Sequence, residues 1–253
     1  MSHLPGKFVW FEHASPDVAR TRRFYEDLFG WHVEAMPLGE QTYSMIMNGG
    51  DAIGGLRTLD AGLASHWISY LSVPDVDQAH AAALAAGARS TLAPIDFGDV
   101  GRGAHIVDPT GAALALWTSA QGDRPDVLPT PVGDWYWNEL TTVDERKALS
   151  FYETVFGYTH DTMDLGGGST YYLLKTGDTM RGGLMRIPRP EVPTLWQPYV
   201  RVADCDASQA RAMSLGAQTL MPPTDIPEVG RFAILLDPLG ASIAVIQPVP
   251  LAA

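Results

Sequence analysis

The chain has 253 residues, 46% hydrophobic and 18% charged, with Asp+Glu 29 against Lys+Arg 17 and a net charge of −12. That length accommodates two ordinary domains, and so acidic a surface repels both phosphate backbones and anionic bilayers, so neither nucleic acid nor membrane is expected as a partner. One cysteine, Cys205, leaves no intrachain disulfide to form and fits a reducing, cytoplasmic setting; between two aspartates at a helix start, it reads as structural rather than nucleophilic.

The opening segment "MSHLPGKFVWFEH" lacks a signal-peptide apolar core, and no window reaches the length of a membrane span. "KFVWFEHA" alternates as a strand. "SPDVARTRRFYEDLFG" reads as a helix with Ser15 as N-cap, Pro16 at the first helical position and Gly30 as its stop. "HVEAMP", "YSMIM" and "AIGGLRT" are short strands separated by turn residues. "HWISYLSV" opens a second series, followed by the helix "PDVDQAHAAALAAG" and the strands "STLAPIDFG", "GAHIVD" and "AALALWT". Each series is a βαβββ module.

The chain then repeats itself. "FYEDLFGWHVEA" from Phe24 returns as "FYETVFGYTHDT" from Phe151, 151 − 24 = 127 residues later. "GRGAHIVDPTGAALALW" from Gly101 returns as "GRFAILLDPLGASIAVI" from Gly230, an offset of 230 − 101 = 129. Between the copies, Ser119 to Gly133 carries three prolines and few apolar residues, as a linker does. The expected organisation is two tandem domains, 1–120 and 134–253, with 121–133 as linker, each domain a pair of modules.

The order of elements, together with "SPDVARTRRFYEDLFG", "VPDVDQAHAAALAAGA" and "DPTGAALALW", resembles the vicinal oxygen chelate superfamily, the glyoxalase/bleomycin-resistance/dioxygenase fold. The resemblance spans nearly the whole chain and is similar in detail to tandem glyoxalase-like proteins. It implies an α+β fold in which paired modules curl into a cup-shaped, mostly antiparallel sheet, with chemistry inside the cup. Metal-dependent members carry His or Glu at three inward strand positions. Here those positions hold Trp10, Ile68 and Ala115 in the first copy and Trp137, Gln197 and Ala244 in the second. Only Gln197 offers even a weak donor, where a divalent site needs several converging ones. No metal and no other cofactor is therefore expected. A displaced site would have to draw on His13, His66 or His105, whose counterparts are Leu140, Leu195 and Ile234; strand parity directs His13 toward the helices.

With Trp10 and Trp137 inward, alternation brings Phe8 and Glu12, and Trp135 and Glu139, to the same faces. Tyr70 follows in the first copy, and Gln197, Tyr199 and Arg201 in the second. Aromatic walls with a few polar groups suit a planar or apolar small molecule. Glu12 and Glu139, aimed into an apolar cup, are candidate general acids or bases, with His105 a further base in one cup. Each has a plain structural reading beside it: the glutamates as acceptors for backbone N–H groups or for Arg102 and Arg231, His105 as packing. Arg102 and Arg231 themselves either anchor a turn carboxylate or bind an anionic group. The repeated pairs Gly54–Gly55 and Gly182–Gly183 mark bulges or close approaches.

Three functions follow in order: a metal-independent lyase- or isomerase-like enzyme transferring protons on an aldehyde or aromatic metabolite; a non-catalytic protein sequestering a drug or metabolite; and a metal-dependent glyoxalase or dioxygenase. The chain would act as a monomer with an internal pseudo-dimer, or as a homodimer.

Overall fold

A computed structural model describes residues 2–38, 41–60, 62–187 and 192–250. The first copy runs β1 (Phe8–Ser15), α1 (Val18–Phe29), β2 (His32–Leu38), β3 (Gln41–Asn48), β4 (Asp51–Thr58), β5 (His66–Ser72), α2 (Val76–Ala85), β6 (Arg89–Phe97), β7 (Gly101–Val107) and β8 (Ala113–Ser119). The second runs β9 (Trp135–Thr142), α3 (Glu145–Phe156), β10 (Thr159–Gly166), β11 (Ser169–Thr176), β12 (Thr179–Arg186), β13 (Leu195–Arg201), α4 (Cys205–Ser214), β14 (Gln218–Ile226), β15 (Gly230–Leu236) and β16 (Ser242–Pro248). Each copy forms one eight-stranded sheet, in the orders β2-β3-β4-β1-β5-β8-β7-β6 and β10-β11-β12-β9-β13-β16-β15-β14. The pairs β1–β4 and β5–β8 are parallel, whereas β2–β3, β3–β4, β6–β7 and β7–β8 are antiparallel. The architecture is the expected α+β duplication.

The helices share one starting device. Asp17, Asp75, Asp144 and Asp204 are the N-caps, each side chain accepting the backbone N–H three residues on. Such a cap contributes about 1 kcal/mol. The expected cap at Ser15 is thus corrected by two residues: Asp17 caps, Pro16 lies before the helix, and the Ser15 hydroxyl instead accepts the Asp17 N–H at 3.1 Å. Gly30 and Gly157 end α1 and α3 in the left-handed region, at φ 73 and 69, where a side chain would be strained.

Backbone contacts partition the chain differently from the repeat. One compact unit comprises Met1–Trp10, Ile68–Pro125 and Trp137–Trp196; the other comprises Phe11–Trp67, Asp126–Tyr136 and Gln197–Ala253. Each therefore joins one module from each copy. In the first unit, Leu71, Leu114, Leu116, Val76 and Ala83 of the first copy share a buried core with Leu140, Phe151, Tyr152 and Trp196 of the second.

The repeated sequence motifs supply the join. Tyr152, the tyrosine of the second "FY", donates to Asp108 Oδ2 of the first "DP-G" at 2.8 Å, and Trp196 Nε1 donates to the Tyr152 oxygen at 2.8 Å. In the other unit, Tyr25 donates to Asp237 Oδ2 at 3.0 Å and receives Trp67 Nε1 at 3.0 Å. The opposite oxygens of the same aspartates hold their own turns: Asp108 Oδ1 accepts N–H groups of Thr110, Gly111 and Ala112, and Asp237 Oδ1 those of Leu239 and Ala241. Burial and the facing aspartate push both phenols well above the ordinary tyrosine range, so both keep their protons.

The same partition places His13. Its Nε2 lies 2.8 Å from Asp237 Oδ2, fully buried, with its ring edge-on to Tyr25 and Trp67. It faces α1, as strand parity requires. Arg102 and Arg231 each tie a helix to a strand rather than anchoring a turn: Arg102 binds Asp77 of α2 and Asp96 of β6, and Arg231 binds Asp206 of α4 and Asp225 of β14. They do not meet the glutamates.

Candidate functional sites on the helix-free sheet faces

Strand alternation sends one set of side chains to the helices and the other to the opposite sheet face. In the second unit, Phe11, His13, Ile46 and Leu56 go to the helix side and are buried. The register pairs Glu12 with Gly55, Ala14 with Arg57 and Met45 with Gly55, which gathers Glu12, Tyr43, Met45 and Arg57 on the helix-free face. Tyr43 donates to Glu12 Oε2 at 3.0 Å, and Arg57 Nε donates to Glu12 Oε1 at 2.8 Å. Glu12 is only 3% exposed. A buried carboxylate is tolerable when charge and hydrogen bonds compensate it, and here both oxygens are engaged.

The first unit holds the equivalent face of the second copy. Trp137 Nε1 donates to the Tyr171 oxygen at 2.8 Å, and Tyr171 donates to Glu139 Oε2 at 2.8 Å. Burial first, and then the charge of Glu139 and the bond to it, push the Tyr171 phenol well above its ordinary value. The chain indole–phenol–carboxylate is directional: the indole N–H occupies the phenol oxygen and points the phenol proton at the carboxylate.

Both phenols reach the glutamates because of the repeated glycines. A Cβ on Gly55 would lie 1.8 Å from the Tyr43 oxygen, and one on Gly183 would lie 1.9 Å from the Tyr171 oxygen. These are close approaches, one of the two readings given to the glycine pairs. Tyr43 and Tyr171 themselves were missed. The available signal was their shared position in "TYSMIM" and "TYYLLK", beside a repeated glycine pair.

The other predicted residues fall into several groups. In the first unit, Trp10 and Trp117 pack against Ile68, Tyr70 and Ala115, and the His105 ring meets Tyr70 edge-on at 5.7 Å. In the second unit, Gln197 accepts the Ser242 hydroxyl and donates to Pro198 O, and Tyr199 lies 6.2 Å from Phe232. Trp135 departs from expectation. It stacks on Phe11 at 4.2 Å, sits among Trp31 and Trp67, and donates to Ile53 O at 2.8 Å. It belongs to the helix-side aromatic core, not to the face of Trp137. The ladder of β9 with β12 begins only at Glu139, so parity counted back to the strand's first residue is not enforced. Phe8 likewise packs on Trp196, 4.7 Å away. Arg201 donates to the Thr130 carbonyl, and its backbone N–H bonds Asp134 O, so it holds the linker. Its counterpart Ser72 does the same through Asp123 at 2.6 Å.

A metal would need a donor set these faces do not provide. Among the described residues no group of three or more His, Cys, Asp or Glu is arranged to hold an ion. His13 is committed to Asp237, and His66 is exposed, with its Nδ1 on Ala64 O. The residues present do not fit the ion that metal-dependent members of the fold carry. Cys205 is buried, and burial together with Asp206 pushes its thiol up to about 11, far from a nucleophile's range. No helix among the described residues is long and apolar enough to cross a membrane.

Residues 7–116 match the family model described as Glyoxalase/Bleomycin resistance protein/Dioxygenase superfamily. The protein named "Putative glyoxylase CFP32" from Mycobacterium tuberculosis (strain CDC 1551 / Oshkosh) is 38% identical over 247 residues, covering 95% of this chain and 94% of its own. The anthracycline biosynthesis protein DnrV of Streptomyces peucetius is 31% identical over 260 residues, covering 96% and 94%. Among solved structures, the Mn(II)-bound glyoxalase from Novosphingobium aromaticivorans superposes with a TM-score of 0.67 at 18% identity, over 98% of this chain and 83% of that one. At that identity the likeness concerns the fold alone.

Proposed function

Because this chain belongs to the Glyoxalase/Bleomycin resistance protein/Dioxygenase superfamily yet lacks, among its described residues, a donor set for the family's metal, we propose that it is a metal-independent enzyme moving a proton on a small planar, carbonyl-bearing metabolite. The observation that carries this reading is the Trp137–Tyr171–Glu139 chain on a helix-free face. Glu139 is the acid or base, and Tyr171 holds the adjacent proton. Removing a proton beside a carbonyl places charge on oxygen, and a correctly aimed donor lowers that barrier by several kcal/mol. The relatives support the substrate class: one is named for glyoxylase activity, one for making anthracyclines, which are flat aromatic ketones. The proposed setting is a reducing cytoplasm, with a small molecule as partner rather than nucleic acid or membrane. The proposed assembly is a monomer with an internal pseudo-dimer, or a homodimer.

The test is turnover of an aldehyde and polycyclic-ketone panel by chelator-treated protein, read by mass spectrometry. Glu139→Gln should abolish product while ligand still quenches tryptophan fluorescence; Glu12→Gln tests the first copy in the same way. Unchanged turnover in both variants overturns the reading. Restoration of activity only on adding a divalent ion also overturns it. The second reading, sequestration without turnover, draws on the Trp10–Tyr70–Trp117 cluster. Stoichiometric binding with no product across the panel would favour it.

A further inference from the structure

We propose that Arg57 is a recognition residue for a carboxylate carried by a small planar ligand on the helix-free face of the first copy. This rests on the reading above only in taking the ligand to be a small molecule. The geometry begins with the root of the guanidinium. Its Nε is donated to Glu12 Oε1 at 2.8 Å, and the other Glu12 oxygen is taken by Tyr43. The Glu12 side chain is 4% exposed and that of Arg57 is 41% exposed. The buried carboxylate therefore fixes the inner edge of the guanidinium, while the arginine side chain as a whole stays open to solvent.

A guanidinium has five N–H donors in a planar fork, and the contact through Nε leaves the two terminal nitrogens to form a second edge. That edge matches the two oxygens of a carboxylate in a bidentate pair. The orientation is already set by folding, so a ligand does not bear the rotamer cost of ordering a long side chain. Tyr43, bonded to the same glutamate, and Met45, opposite Gly55, stand on the same sheet face and give a flat apolar body something to lie against.

The second copy provides the internal comparison. It builds the same carboxylate–phenol pair, Glu139 with Tyr171, but its residue at the Arg57 position is Met185. The arginine is therefore not what the pair needs in order to form. A single fork beside a neutralising glutamate, in a chain of net charge −12, suits a monoanion rather than a phosphate dianion, which calls for more positive charge.

The experiment is calorimetric titration of the full chain with naphthalene-2-carboxylate and with the neutral naphthalene-2-carboxamide, using wild type and Arg57→Met. Wild type should prefer the carboxylate by about tenfold, roughly one good charged pair, and R57M should lose that preference. No preference in wild type, no binding of the carboxylate at millimolar concentration, or a preference that survives in R57M overturns the proposal. The methionine is taken from the second copy, where the same strand tolerates it; should R57M melt below the assay temperature, Arg57→Gln supplies the same comparison. Neither probe needs to react, so a failure of the Glu139 turnover test leaves this ratio unaffected, and the reverse also holds.

Discussion

The two compact units close their cores with the same tyrosine–aspartate–tryptophan lock, but in different company. In one unit the lock is Tyr152, Asp108 and Trp196, and the first-strand residue beside it is Leu140. In the other it is Tyr25, Asp237 and Trp67, and the equivalent residue is His13, bonded to the same carboxylate oxygen that Tyr25 reaches. One aspartate is thus held by its turn and one phenol; the other has a buried imidazole as well. The duplication kept the hydrogen-bond frame and let one apolar neighbour differ from a titratable one, which separates what the fold requires from what it tolerates.

Replacing His13 by leucine makes the second lock resemble the first and is expected to have the largest effect. Removing one partner of a buried pair costs about 3 kcal/mol because the other charge stays behind. Denaturant unfolding of His13→Leu checks this, and His13→Leu combined with Asp237→Asn should recover part of the loss. A single variant as stable as wild type would mean that the imidazole contributes only packing.

Next come the tyrosines. Tyr152→Phe strips Asp108 Oδ2 of its phenol and orphans the Trp196 N–H, for about 2 kcal/mol. Tyr25→Phe should cost less, about 1 kcal/mol, because Asp237 Oδ2 keeps His13. Equal losses would show that the histidine does not substitute for the phenol. Level with the smaller of these, Gly55→Ala and Gly183→Ala each force a phenol off its glutamate, since the new Cβ would overlap the oxygen. The far end of a tyrosine can swing away, so the expected cost is about 1 kcal/mol, near that of one hydrogen bond. The diagnostic for the Gly183 variant is loss of the Tyr171–Trp137 contact, read as a change in tryptophan emission.

These comparisons also show what the sequence could disclose. Repeat, element order and the helix-ward turn of His13 rest on local periodicity, so they were legible. The Tyr25–Asp237 and Tyr152–Asp108 bonds join residues 212 and 44 apart along the chain and depend on which module packs with which. No periodic pattern carries that information. Tyr43 and Tyr171 were hidden for a related reason: their role depends on strand register across β3 and β4, or β11 and β12, and on the space left by one glycine. Trp135 misled because alternation was extended past the ladder that enforces it. Arg57 lay in plain view within "GGLRT" but gains meaning only opposite Glu12.

The smallest expected effect is on the acid side of stability. Burial alone would raise the Asp237 carboxyl, yet the His13 bond and charge, with the N–H groups of Ala241 and Leu239, hold it below the ordinary aspartate range. A carboxylate whose folded value lies below its unfolded one, about 3.9, stabilises the protein above that pH. The contribution is lost as pH falls through the lower folded value. Thermal melts from about pH 2 to 6 should therefore show wild type holding its stability to lower pH than His13→Leu. In that variant burial still acts on Asp237 and the strongest opposing group is gone, so its acid limb should begin at a higher pH. Asp237→Asn should flatten the difference in the same window. Parallel acid limbs in wild type and His13→Leu would place the low carboxyl value with the Ala241 and Leu239 amides, and the two locks would then differ in packing rather than in charge.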